Sequence, residues 1–126
     1  MDEKYEDFKI NLQGTDFITF KGLLAMAHDS GLESIHTEIV SIDRETITEE
    51  KDGKIHVRYA TGLVMFKAIV SGTKGTYTAF GDGSPKSVKR HLHPAIIRMA
   101  ETRAIARALR WYTGFGYTCD LELGEE

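Results

Sequence analysis

The sequence predicts an α+β domain in which a helix, a three-stranded antiparallel β-meander and a long C-terminal helix follow one another as a β-β-β-α core. Apolar residues between positions 21 and 28 recur at helical spacing. β-branched and aromatic residues are frequent in residues 35–40, 54–70 and 76–80, and apolar residues with a helical period recur in the last third. A length of 126 residues suits one domain, spanning 1–126. Its acidic ends, at about 1–7 and 119–126, are expected to be loose.

The first half of the chain begins with a short strand predicted over residues 8–12 and a turn around Gly14. A helix follows over residues 21–28, and Gly31 stands where a left-handed helix end is expected. Residues 35–40 alternate with a period of two, which is typical of a half-buried strand.

The β-meander continues after the turn dipeptide Asp52-Gly53. Residues 54–70 are rich in strand-forming side chains, and Gly62 is a candidate bulge within this long strand. A glycine-bearing loop over residues 72–75 then leads into a return strand over residues 76–80. Because these connections are short, the strands are predicted to pair antiparallel.

The last third is predicted to be helical. Ser84-Pro85 is typical of a helix start, and that helix should break before Pro94 because proline disfavours helical geometry in the preceding residue. A longer helix is expected over residues 94–113, ended by Gly114 and Gly116.

Charge is strongly segregated along the chain. Residues 86–110 hold seven basic residues and one acid, Glu101, whereas the rest holds nine basic and 18 acidic residues. Such a basic stretch favours an anionic partner although the pI is only about 5.9. On an ideal helix, Arg103, Arg107 and Arg110 share a narrow arc, opposite the apolar positions Ile97, Ala104, Ala108 and Tyr112.

Arginine is suited to forked contact with phosphate, so this arc predicts a nucleic-acid-binding surface. A solvated basic face, or a face paired with acidic segments, is the alternative. The predicted DNA-binding residues are Arg103, Arg107, Arg110, Lys89, Arg90, Arg58, Lys67 and Lys74. Single strands also need flat surfaces for base stacking, for which the candidates are Tyr59, Phe66, Tyr77, Phe80 and Trp111.

No catalytic, metal or cofactor site is predicted. Gly81-Asp82-Gly83-Ser84 lacks the remaining positions of a phosphate-binding loop and is interpreted first as a tight strand-to-helix turn, second as a backbone contact to phosphate. His91 and His93 lie two residues apart and lack an evident third ligand. Cys119 is the only cysteine, so an internal disulfide is excluded and a reducing, intracellular setting is expected.

A resemblance rests on Gly81-Asp82-Gly83, the run Glu101-Thr102-Arg103-Ala104-Ile105-Ala106-Arg107-Ala108-Leu109-Arg110, and Gly116 shortly after it. Together with the predicted order of elements, these residues resemble the single-strand DNA annealing superfamily, which includes the Rad-fifty-two-like and phage essential recombination function proteins. The resemblance covers most of the chain and implies a helix, a three-stranded meander and a long helix.

The resemblance also implies a non-enzymatic protein of recombination or repair that binds single-stranded DNA and anneals complementary strands as a ring or filament of identical subunits. Arg107 and Arg110 would line its DNA groove. A cytoplasmic setting in a prokaryotic or phage-infected cell is expected, with a single-strand-binding protein or exonuclease as a candidate partner and no membrane association. Two alternatives stay open. One is a metal-dependent enzyme of nucleotide or nucleic-acid metabolism using Asp82, His91 and His93; the other is an interaction module whose basic helix docks on an acidic protein.

Overall fold

The computed structural model describes residues 3–85, 94–114 and 119. In chain order, these residues form a 3₁₀ helix (Glu3–Phe8), strands β1 (Lys9–Leu12) and β2 (Thr15–Ile18), helix α1 (Phe20–Asp29), strands β3 (Leu32–Lys51), β4 (Lys54–Gly72) and β5 (Gly75–Gly83), and helix α2 (Ile96–Thr113).

The N-terminal segment packs against α1 as an ordered unit. β1 and β2 pair antiparallel as a separate hairpin, and the Tyr5 hydroxyl donates to Asp29 at 2.6 Å. At the hairpin, Asn11 Nδ2 donates to Asp16 Oδ1 at 3.0 Å and Lys9 lies 3.4 Å from Asp16. The hydrogen bond from Asn11 lowers the pKa of the exposed Asp16 carboxyl, desolvation opposes it, and the hydrogen bond and charge of Lys9 add to the lowering.

Helix α1 has a defined beginning and end. Thr19 is its N-cap, and the hydroxyl accepts from the Gly22 backbone N–H at 3.1 Å. Ser30 is the C-cap, and Gly31 follows with φ of 87°, in the left-handed region that favours glycine. The helix buries Gly22, Leu23 and Ala27, so only one face contributes to the core.

The larger sheet has the strand order β3-β4-β5, with every pair antiparallel. Alternate residues of β4, namely Val64, Phe66, Ala68 and Val70, are buried. These face α2, whose Met99, Ala104, Ala108 and Leu109 are also buried. The core therefore lies between one helix and the strands β4 and β5, and α1 adds to it at the end near Leu32.

Close approach of α2 to β5 depends on glycine. A Cβ added to Gly81 would collide with the backbone of Ala100 and Ala104, and one added to Gly83 would meet the carbonyl oxygen of Ile96 at 2.9 Å. Gly81-Asp82-Gly83 is therefore the end of strand β5, and the prediction of a tight turn there is wrong. The segment lacks side chains on the helix-facing side because the helix backbone occupies that space.

The predicted fold class is wrong. The chain is a mixed α+β protein with two sheets, and about 54% of the described residues lie in strands. Residues 41–51 were not assigned to a strand because their charged side chains show no apolar face. They nevertheless pair with residues 54–65 around an Asp52-Gly53 turn, where both residues have positive φ. The strand predicted over residues 8–12 and the turn at Gly14 are confirmed by β1 and the β1–β2 connection, but the return strand β2 was not predicted.

The ends of the chain contribute more than expected. Residues 3–8, expected to be loose up to Asp7, include the buried Tyr5. Cys119 is fully buried and forms an isolated parallel bridge with Ile18. The helix predicted after Ser84-Pro85 falls largely outside the described residues. Neither of the two described α-helices is long and apolar enough to cross a membrane.

Candidate nucleic-acid interface

The first arginine of the predicted arc is buried. Arg103 is 3% exposed, and its Nη1 donates to the Asp82 backbone carbonyl at 2.8 Å. Burial lowers the pKa of its guanidinium, the charge of Asp82 acts in the opposite direction, and Arg107 adds a smaller lowering effect. The prediction that Arg103 projects into solvent is wrong because the outer edge of β5 lies beside this face of the helix. Arg103 therefore supports the strand.

The second arginine is shared between the strand and solvent. Arg107 Nη1 donates to the Phe80 carbonyl at 3.0 Å and lies 3.4 Å from Asp82 Oδ1. Its side chain is 37% exposed, and that of Asp82 is 44% exposed. An ion pair this exposed contributes little to stability, so an incoming anion could compete for the guanidinium at small cost.

The third arginine lies in the last turn of α2. Arg110 is half-buried, and the helix ends at Gly114 in the left-handed conformation. A cation in the last turn offsets the partial negative charge of a helix C-terminus, which gives Arg110 a structural role. The same field disfavours phosphate at Gly114 itself, so anions are better accommodated between Arg107 and Arg110.

Arg107 and Arg110 line an open groove beside the outer edge of β5. The groove has a volume of about 590 Å³, within the roughly 300–1,000 Å³ typical of ligand sites. Its lining residues are Thr78, Ala79, Phe80, Arg107, Arg110, Trp111 and Gly114. Two large aromatic side chains are exposed there, Trp111 at 68% and Phe80 at 51%. The groove thus combines cationic groups with flat apolar surfaces.

The other predicted DNA-binding residues do not lie together at the groove. Lys67 lies opposite Phe80 in the β4–β5 register, on the sheet face turned away from α2. Lys74 is exposed in the β4–β5 turn, and its backbone N–H donates to the Tyr112 hydroxyl at 3.4 Å, at the same end of α2 as the groove. Arg58 lies in β4 and pairs with Ile47 of β3, near the Asp52-Gly53 turn. Lys89 and Arg90 lie outside the described residues.

The aromatic residues predicted to stack on bases also lie in different parts of the structure. Phe66 is buried in the core, and Tyr77 packs edge-on against Tyr112 with ring centroids 5.9 Å apart. Tyr59 lies in β4 and pairs with Thr46 of β3. Of the candidates, Phe80 and Trp111 are those that line the groove. Ile97, predicted to face the sheet, is instead 43% exposed because α2 covers β4 and β5 more fully than β3.

The metal alternative depends on Asp82, His91 and His93. The described residues contain no group of three or more His, Cys, Asp and Glu side chains arranged to hold a metal ion. His91 and His93 lie outside those residues, and the Asp82 carboxylate is beside Arg107.

Sequence reasoning missed the role of the β5 edge. In an antiparallel strand, the N–H and C=O of alternate residues point away from the neighbouring strand. The carbonyls of Phe80 and Asp82 do so, because they accept from Arg107 and Arg103. The sequence signal for this role is the four-residue spacing of Arg103 and Arg107 together with the preceding glycine-bearing strand. That spacing lets both side chains reach alternate carbonyls of the strand edge.

No protein-family model matches this chain, and neither a curated protein nor a solved structure shows significant similarity to it.

Proposed function

We propose that this protein binds single-stranded DNA in the groove between β5 and α2. The observation that carries the proposal is the meeting of Arg107 and Arg110 with exposed Trp111 and Phe80 in one groove of about 590 Å³. Single-strand-binding surfaces combine basic grooves with aromatic side chains on which bases stack. A nucleic-acid strand offers phosphates to the cations and bases to the aromatic rings, so it matches both features of the groove.

Within this proposal, the arginines have different roles. Arg110 and the solvent-facing part of Arg107 contact phosphates, while Arg103 holds the strand edge in place. Lys67 and Lys74 are candidates to extend the path, because one lies beside Phe80 and the other at the groove end of α2.

The cellular role follows from the resemblance to annealing proteins. We propose a non-enzymatic protein that promotes annealing in recombination or repair and works as a ring or filament of identical subunits. Cytoplasmic action in a prokaryotic or phage-infected cell, and contact with a single-strand-binding protein or exonuclease, belong to the same proposal. The supporting observations are the Gly81-Asp82-Gly83 segment and the arginine–alanine run, which pack together as β5 and α2.

A salt series on a labelled single strand tests the binding site. Two phosphate contacts predict a slope of about −1.4 in the logarithm of affinity against that of salt concentration. Arg110→Ala should reduce the slope by about 0.7. Arg98→Ala is the matched control, because Arg98 is an exposed arginine on the same helix but does not line the groove. Thermal unfolding of each variant verifies that the fold is retained.

Equal losses in Arg98→Ala and Arg110→Ala would place binding outside the groove. Affinity that does not change with salt would exclude phosphate contact. Electron microscopy with and without an oligonucleotide tests the assembly: rings or filaments are expected, and a monomer at every concentration would contradict annealing by an oligomer.

A further inference from the structure

The two exposed aromatic residues of the groove are not needed for the core. Trp111 is the only tryptophan in the chain, and it lies on the outer side of α2, next to the buried Tyr112. Phe80 lies on the sheet face turned away from α2, at the rim of the same groove. Each side chain exposes an apolar ring to solvent and does not contribute to the hydrophobic core. The groove is therefore suited to a flat aromatic ligand group as well as to an anion.

The wall of the groove adds polar groups at fixed positions. Thr78 is two residues before Phe80, so its backbone N–H and C=O point to the same outer side of β5. Arg107 covers the strand edge at Phe80, and Arg103 covers it at Asp82. Thr78 lies beyond this covered part and lines the groove. A backbone donor and a backbone acceptor of Thr78 therefore belong to the same groove as Trp111 and Phe80.

We propose that the groove takes one unpaired nucleobase of the bound strand. The base stacks on Trp111, with Phe80 at the rim, and turns its hydrogen-bonding edge to the N–H and C=O of Thr78. Arg107 and Arg110 contact the phosphates that flank it. This inference rests on the proposed binding of single strands and adds that a base, not only the sugar-phosphate chain, is recognised.

Two physical arguments favour a base in this position. The C-terminal end of α2 carries partial negative charge, which disfavours phosphate near Gly114 but not a neutral base. A base in a duplex has its edge paired and its faces stacked, so it cannot enter the groove without being unpaired first. The site should therefore distinguish single strands from duplexes, while the other bases of the strand stay available for pairing.

The test compares two strands of equal length and charge: oligothymidylate of about ten nucleotides, within the range bound by small single-strand-binding domains, and an abasic oligomer with the same phosphates. Anisotropy of an end label gives both affinities. Base stacking predicts that oligothymidylate binds about 5- to 150-fold more tightly. Fluorescence of Trp111 should be quenched by oligothymidylate and little changed by the abasic strand.

Variants separate the base contact from the phosphate contact. Trp111→Ala should lower the affinity for oligothymidylate to near that of the abasic strand and leave abasic binding unchanged, whereas Trp111→Phe should retain most of the preference. Arg110→Ala should weaken both strands similarly. Because Trp111 is largely exposed, both Trp111 substitutions should leave the fold intact, and thermal unfolding checks that Arg110→Ala folds as well.

The two proposals fail in different ways. Equal affinity for both strands, or a preference that survives Trp111→Ala, would overturn the base site but leave phosphate binding in place. Binding of neither strand would overturn the proposed function itself.

Discussion

The two halves of the β3–β4 pair are both antiparallel pairings of the same two strands but have opposite surroundings. In the proximal half, residues 32–42 and 63–72, α2 covers one face and buries Val64, Phe66, Ala68 and Val70. In the distal ribbon, residues 43–62, every described side chain between positions 43 and 57 is exposed except the half-buried Ile47. Ile55 is 71% exposed although the same residue type forms the core elsewhere.

This difference separates the contribution of backbone hydrogen bonds to stability from the contribution of apolar burial. The antiparallel ladder runs through both halves but is irregular at Val40 and again at the boundary, where the register passes from Ile42–Val64 to Arg44–Thr61. The buried apolar side chains described in this pair all lie in the proximal half, and burial of apolar area is the main favourable term in folding. A two-stranded hairpin alone is marginally stable in water. We therefore expect the free energy of unfolding to depend on the proximal half and α2.

The largest contrast is expected between two truncations to alanine. Leu109→Ala removes a fully buried side chain of α2 and should lower the free energy of unfolding by about 2–5 kcal/mol. Ile55→Ala, the matched change on the distal ribbon, should alter it by no more than about 0.5 kcal/mol. Urea denaturation of both variants measures the difference. Equal losses would show that the ribbon is part of the cooperative core.

A smaller contrast is expected between two glycine substitutions. Gly81→Ala places a Cβ against the α2 backbone, and we expect a loss of about 1–3 kcal/mol because the helix must move. Gly62→Ala, at the base of the distal ribbon, meets the flexible side chain of Glu45 instead and should stay within about 0.5 kcal/mol of the parent protein. Midpoints of urea unfolding give the comparison. A neutral Gly81→Ala would contradict the close helix–strand contact.

The smallest effect is expected when the distal ribbon is shortened. Arg44 and Thr61 are direct partners, so replacing residues 45–60 with Asn-Gly closes the hairpin with a turn that suits antiparallel strands. The free energy of unfolding should change by about 1 kcal/mol or less, since loop length alone has a weak effect. The affinity for single strands should also persist, because the groove lies beside β5. Failure of the shortened chain to fold would give the ribbon a structural role.

Some of these features could be read from the sequence. The end of α1 was predictable because Gly31 follows an apolar helical run, and the Asp52-Gly53 turn was predictable because both residue types tolerate positive φ. The β4 side of the distal ribbon falls within the strand predicted over residues 54–70. The β3 side, residues 43–51, was not predictable, because a strand exposed on both faces has no alternating apolar pattern to reveal it.

The candidate site was predictable only in part. The helical spacing places Arg103 and Arg107 on one face, but a helical wheel does not show where the edge of a neighbouring strand lies. The position of that edge determines that Arg103 is buried against the Asp82 carbonyl while Arg107 reaches solvent. Trp111 could be selected as an aromatic candidate, yet its partnership with Phe80 depends on how β5 packs beside α2.

The guanidinium groups on the Phe80 and Asp82 carbonyls also restrict how copies of this protein could meet. An unprotected edge strand is a template on which another chain can extend a sheet, and such growth leads to fibrous aggregates. An arriving strand would have to displace both arginines from β5 before it could pair there. Sheet extension is thereby directed to the opposite border, β3, so a filament that elongates by strand addition would have to grow from that side.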